Sequence, residues 1–411
     1  MPNCSCDLAT LLSFVAMDDS AMSDPDPNDP DQPPPDGPVV LFAGGGTGGH
    51  IYPNVAVAER LLSSDGPGRA RPHFLISSRS GDREILDRLG YSYTVSPVQP
   101  LPPLTRPWHF FSFFFAWRRA VAQVRRLLVE RQVAAVVATG GYVSGPAVVV
   151  ARKSTRIPCA LVNLDAVPGV ANRRLVRYKP SLFAVRETPL LPGARLIGLP
   201  MRRASLGDPD ADPAQARAAL GLDPDRPVLF ITGATHGAVS IIQGMMALIQ
   251  SEHARIFDGW QVFHQCGMFD VAELERAYEK AGIPAKVVAH CDQMGTAWRA
   301  ADLAISRAGA GSVAEAWANA TPTIFLPNPY HRDQHQKHNA QPVVDTGGAR
   351  MITDRIEPEA NVPALAEVLA PLMGDPEALQ SMARALVDSR PPDGAAALAD
   401  WIAENLDPAG H

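Results

Sequence analysis

VVLFAGGGTGGHIYPNVAVAERL, residues 39–61, joins a short apolar run to a longer amphipathic one through a turn, residues 44–49, that is glycine everywhere except Thr47. A buried strand feeding a helix through such a turn lets the backbone bend tightly and approach a ligand closely. The free N–H groups of the helix start then attract negative charge. Gly44, Gly46 and Gly49 also satisfy G-x-G-x-x-G, the dinucleotide signature, which requires an acidic residue at the tip of the next strand. That strand reads HFLISSRS, residues 73–80, and carries no carboxylate; Arg79 alone keeps an NADP-dependent oxidoreductase as a competing reading. His50 follows the turn directly, and its near-neutral intrinsic pKa suits a general base. The bland alternative is a capping or packing histidine.

Outward from this stretch the same alternation continues. HFLIS precedes REILDRL, and VAAVVAT precedes GPAVVVARK, a pattern of parallel βαβ units and an α/β fold. Around residues 199–205 the sequence turns polar and proline-rich, after which PVLFITG, WQVFHQC, AKVVAH, DLAIS and TPTIFLP begin a second series. We therefore expect an N-terminal domain over 38–200, a second over 201–388, and a last segment, 389–411, whose helix is able to return to the first domain. A chain of 411 residues is ample for two cores. Sheets of this class bind ligands at the carboxyl ends of their strands.

Residues 1–37 form an acidic, proline-rich tail with eight Asp and no Lys or Arg, a composition that predicts disorder. The rest holds 35 acidic against 37 basic residues, near neutrality, which argues against a nucleic-acid partner. TLLSFVAM, residues 10–17, lacks the basic flank of a secretory signal. Five scattered cysteines point to a reduced, cytoplasmic protein.

Two further turns repeat the first. GGYVSGP puts Tyr142 and Ser144 between a strand and a helix, and SRAGAGSVAE places Ser312 and Glu315 at a helix start, where an acid is stabilising by itself or accepts the hydroxyls of a ribose. HRDQHQKHNA then supplies His331, Arg332, His335, Gln336 and Asn339 for phosphate and sugar oxygens. Its histidines at 331, 335 and 338 lack a partnering carboxylate cluster, so no metal is expected. HFFSFFFAWRR, residues 109–119, is too short to span a bilayer.

GGGTGGHIYPNVAVA, GGYVSGP, DAVPGVANR, SRAGAGSVAE and the HxD…Q…NA loop, in this order, resemble the MurG family of bacterial peptidoglycan glycosyltransferases over residues 39–354. The resemblance implies a GT-B fold, two Rossmann-like doubly wound domains facing a cleft. It also implies transfer of N-acetylglucosamine from UDP-GlcNAc to undecaprenyl-pyrophosphoryl-MurNAc-pentapeptide, with inversion, no cofactor and no metal. His50 would be the base, and Thr47, Gly48, Gly49, Tyr142 and Ser144 would face the acceptor's pyrophosphate. Asp165, Arg202, Thr235, Ser312, Glu315, His335, Gln336 and Asn339 would surround the donor. The family's docking patch on the cytoplasmic face of the plasma membrane corresponds to Phe110, Phe111, Phe113, Phe114, Trp117, Arg118 and Arg119, which would meet anionic lipid. Three departures stand out: VNLD at 162–165 where the family reads HEQN, Thr235 and His236 in the GATHGA loop, and His335 in place of a glutamine. Asp165 favours, as alternatives, another nucleotide-hexose or lipid acceptor, or an inactive paralogue.

Overall fold

The computed structural model describes residues 37–46, 48–63, 70–102, 109–155, 157–233, 238–330 and 334–406. Among these, seven strands make one sheet: β1 Val39–Ala43, β2 Arg71–Ile76, β3 Tyr93–Val95, β4 Val133–Ala138, β5 Cys159–Asn163, β6 Ser181–Ala184 and β7 Arg195–Leu196. They lie in the order β3-β2-β1-β4-β5-β6-β7, with every pair parallel. A second, all-parallel sheet has the order β10-β9-β8-β11-β12-β13, from β8 Val228–Thr232, β9 Gln261–Gln265, β10 Ala285–Val288, β11 Leu303–Ser306, β12 Thr323–Phe325 and β13 Ala349–Met351. The two sheets are the Rossmann-like halves that the alternating pattern predicts.

Why VVLFA is apolar throughout follows from the two-residue period of a strand. Val40 and Phe42 enter one core, with Ile51, Val55 and Leu61 of the helix Gly48–Leu62. Val39, Leu41 and Ala43 enter the other, with Ala120 and Val124 of the helix His109–Glu130. β8 repeats the arrangement, Leu229 and Ile231 facing one core and Val228 and Phe230 the other.

Parallel register brings the loops that matter together. Ala43, at the end of β1, pairs with Leu75 of β2 and Ala138 of β4, so the turns after these three strands converge. In the second sheet Thr232 pairs with Ser306, which pairs with Phe325, gathering the turns after β8, β11 and β12. The final helix, Gly394–Leu406, lies in the first domain's core: Trp401 meets Phe183 edge to face at 5.9 Å, and Arg60 pairs with Asp393 at 2.9 Å.

Candidate active site

The first glycine turn is shaped by a carboxylate that the sequence reading passed over. Asp82, in the first turn of the helix Ser80–Arg88, is buried, and its Oδ2 accepts from Gly46 N at 2.7 Å, Ser77 N at 3.2 Å and Ser77 Oγ at 2.5 Å. A side chain at Gly45 would meet that oxygen at 2.6 Å, so only glycine fits there. Arg79 donates to the Gly46 carbonyl. The carboxylate and guanidinium next to the turn are therefore occupied in closing it, rather than holding a ribose or its 2′-phosphate, which removes the basis of the NADP reading. The signal for Asp82 was present as an acid in a helix's first turn.

His50 sits in the first turn of the helix Gly48–Leu62, half-buried, with Nδ1 3.0 Å from the Thr139 carbonyl. A carbonyl only accepts, so Nδ1 is a protonated nitrogen, and in the neutral form of the ring the lone pair falls on Nε2. Thr139 is fixed in turn: its hydroxyl donates to the His50 carbonyl at 2.9 Å and accepts from Asn54 Nδ2 at 3.1 Å. The second glycine turn runs past the ring, and a side chain at Gly141 would lie 3.6 Å from Nε2. Tyr142 packs over Gly46, half-buried. Gly48 and Gly49 open the helix, while Thr47 lies outside the described residues. Ser144 differs from expectation. It is fully buried, its oxygen 2.9 and 2.6 Å from the Ala43 and Gly140 carbonyls, either of which takes its single proton, so it shapes the turn from behind rather than facing a phosphate.

In the second domain the helix Ala310–Ala318 begins two residues before Ser312, with extended Gly309 as its N-cap. Glu315 consequently falls beyond the first turn, a correction to the expected placement, and the helix dipole no longer accounts for it. Open space adjoins both Gly309 and Gly311, and Ser312 is half-buried beside them. Glu315 Oε2 accepts from Trp298 Nε1 at 3.1 Å. Burial pushes the Glu315 carboxyl above its ordinary value, against the hydrogen bonds of Trp298 and Ser205 and the charge of Arg202. Arg307, just after β11, donates to Asp354 at 2.6 Å, to the Leu326 carbonyl at 2.9 Å and to Ser240 at 2.6 Å, tying three turns together.

Several expected donor residues lie at the junction of the two sheets. Arg202 pairs with Glu59 of the His50-bearing helix at 3.1 Å and covers the Tyr52 ring at 5.5 Å. Asn339 is buried, accepts from Ala166 N of the first domain at 3.1 Å and donates to the Ala308 carbonyl. Asp165 is half-buried, its carbonyl accepting from Asn163 Nδ2 at 2.6 Å. Gln336 Oε1 accepts from Asn328 N at 2.8 Å, and His335 begins the helix His335–Asp345, half-buried. Thr235, His236, His331 and Arg332 lie outside the described residues. Glu59, Tyr52, Trp298 and Asp354 escaped the sequence reading because each acts across a long separation.

The aromatic run forms the first half of the helix His109–Glu130. Its inner face is Ala116, Ala120, Val124, Leu127 and Leu128. Phe111 is 75% exposed, Phe114 53% and Phe115 62%, one face at helical spacing, with Arg118 over the Phe114 ring at 5.6 Å. Arg119, Arg125 and Arg126 are also exposed. Phe110 and Phe113 are half-buried, as is Trp117, which stacks on Phe113 and presses against Gly145. The outward triad is thus Phe111, Phe114 and Phe115. No described helix is long and apolar enough to cross a membrane.

Residues 40–183 match the glycosyltransferase family 28 N-terminal domain and residues 228–398 its C-terminal domain. A protein of Nocardioides sp. named UDP-N-acetylglucosamine--N-acetylmuramyl-(pentapeptide) pyrophosphoryl-undecaprenol N-acetylglucosamine transferase is 36% identical over 372 residues, 89% of this chain and 97% of the relative. Its namesake from Streptomyces coelicolor is 33% identical over 360 residues, 85% and 93% of the two chains. Among solved structures, Acinetobacter baumannii MurG superposes with a TM-score of 0.67 at 24% identity, over 89% of this chain and 99% of that one, which shows a shared fold. With both family domains matched and such relatives covered over nearly their whole length, the chain belongs to glycosyltransferase family 28 and, within it, to the MurG group of hexosyltransferases.

Proposed function

We propose that this enzyme moves N-acetylglucosamine from UDP-GlcNAc to the muramyl 4-hydroxyl of a lipid-linked muramyl-pentapeptide, inverting the anomeric carbon, while docked on an anionic membrane surface. The single observation that carries the chemistry is the His50 Nδ1 contact to the Thr139 carbonyl at 3.0 Å, which in the neutral ring puts the accepting lone pair on Nε2, beside two glycine turns. In the step itself the acceptor oxygen attacks the anomeric carbon and its proton passes to Nε2. The bond from that carbon to the diphosphate oxygen breaks, its electron pair leaving with UDP. A helix start that adjoins open space, at Gly309 to Ser312, provides backbone donors for the departing diphosphate without a metal. Glu315, which accepts from Trp298 Nε1, takes the ribose hydroxyls in this reading. The names of the relatives support the substrate pair.

Membrane docking rests on Phe111, Phe114 and Phe115 with Arg118, Arg119, Arg125 and Arg126 beside them, cations worth about 1 kcal/mol each against anionic headgroups. An enzyme whose acceptor stays in the bilayer must come to it. Asp165 favours a second reading, another nucleotide-hexose donor. The deciding experiment is UDP release from UDP-GlcNAc with and without a short-chain lipid-linked muramyl-pentapeptide. Acceptor-dependent release is expected; donor binding without it would overturn the assignment.

A further inference from the structure

Tyr52 and Glu59 of the His50-bearing helix are separated by about two helical turns and so share a face. That face meets the stretch in which the chain crosses between the domains. The Tyr52 ring lies under the Arg202 guanidinium at 5.5 Å. Glu59 turns both carboxylate oxygens to the same stretch: Oε1 accepts from Arg202 Nε at 3.1 Å and Oε2 from the Arg203 backbone N at 2.8 Å. The Arg202 and Glu59 side chains are 21% and 19% exposed, so water screens their attraction only in part.

On its other side the crossing stretch is tied to the donor half. Arg203–Ser205 forms a single 3-10 turn, whose Ser205 carbonyl accepts from Asn319 Nδ2 at 2.9 Å, while Gly207 N donates to Asn319 Oδ1 at 2.7 Å. Asn319 Nδ2 also donates to the Glu315 carbonyl at 2.8 Å, one turn back along its helix. A side chain at Gly207 would meet the Gly295 carbonyl at 2.7 Å, so the stretch lies directly on the second domain. The Ser205 side chain and the Arg202 charge both favour the ionised form of Glu315 against its burial.

We propose that Glu59 is a positioning residue for the donor: it holds residues 202–205 against the His50-bearing helix, and through Arg202 and Ser205 it keeps the Glu315 carboxylate in place for the ribose. This rests on the ribose contact proposed for Glu315. Glu59 itself touches no substrate in this arrangement, and its influence on the donor passes through the crossing stretch. One helix thereby carries the base at its first turn and, farther along, the group that steadies the nucleotide's carboxylate.

The test is Glu59→Gln in the full chain, with affinity measured by calorimetric titration of UDP, which carries the ribose whatever the sugar, and turnover measured at saturating UDP-GlcNAc. The amide keeps an oxygen for Arg203 N and turns an NH2 group toward Arg202, freeing the guanidinium at nearly constant side-chain volume. The UDP Kd should rise on the order of tenfold with kcat within about twofold, the pattern of lost ground-state binding. Glu315→Gln identifies the route: in that background Glu59→Gln should add less than about twofold, because residues that act as one unit are not additive. Unchanged UDP affinity in Glu59→Gln, with or without a lower unfolding temperature, would reduce the pair to a structural contact and overturn the proposal. Factors that multiply in the double variant would also overturn it, since Glu59 would then reach the donor by another route. Glu315→Gln that alone leaves UDP affinity intact would show that the ribose contact itself has failed, and the role of Glu59 would fall with it.

Discussion

His50 can act as a base through Nε2 only in the tautomer protonated at Nδ1, and the Thr139 carbonyl favours that one. His50→Ala should lower turnover on the order of 100-fold with donor affinity nearly unchanged, as for loss of a general base; steady-state rates beside a donor-binding isotherm check this. Glu315 makes a separate statement about pH. Its pKa is raised chiefly by burial, so it takes up a proton at a higher pH than an exposed glutamate. If the ionised form accepts ribose hydroxyls, donor KM should rise as pH falls, beginning above the ordinary carboxylate range, and Glu315→Gln should flatten that limb. A wild-type donor KM that stays level across the limb would detach Glu315 from the donor.

At the scale of elements, the helix His109–Glu130 divides its aromatics between two tasks. Periodicity alone suggests that such a run covers more than one face. Which residues look outward depends on what the helix packs against, here the helix Ser144–Ser154, where Trp117 presses on Gly145. Replacing Phe111, Phe114 and Phe115 by serine should weaken binding to anionic vesicles at least about tenfold, while stability stays within about 0.5 kcal/mol, as for other exposed positions. Trp117→Ala should do the reverse, costing stability with vesicle binding retained. Co-sedimentation and thermal unfolding separate the two. The turns teach a similar lesson. The glycines at 44–46 and 140–141 announce a close approach, but the group that approaches the first turn, Asp82, is brought there by strand register.

Across the whole molecule, the two sheets are tied by the Arg202–Glu59 pair, by Asn339 reaching Ala166, and by a last helix that belongs to the first domain's core. The chain thus closes on itself across the domain boundary. Trp401→Ala should cost about 3 to 5 kcal/mol, because it removes a large buried ring that meets Phe183 edge to face. The loss should appear in calorimetry as a lower transition for the first domain, with the second little changed.

From sequence alone came the α/β class, the two series of strands and helices, the glycine turns and His50, because strand and helix periods and glycine's backbone freedom are local properties. The strands β3, β7 and β13 left no comparable trace, since each lies at a sheet edge and lacks the unbroken buried run that marks the equally short β12. Tertiary structure alone decided that Ser144 is buried, that Asp82 closes the first turn, that Arg202 and Asn339 meet the other domain and that Phe115 rather than Trp117 faces outward. Each of these is settled by a partner brought near only when parallel strands align and two domains meet, and no window of sequence contains that partner.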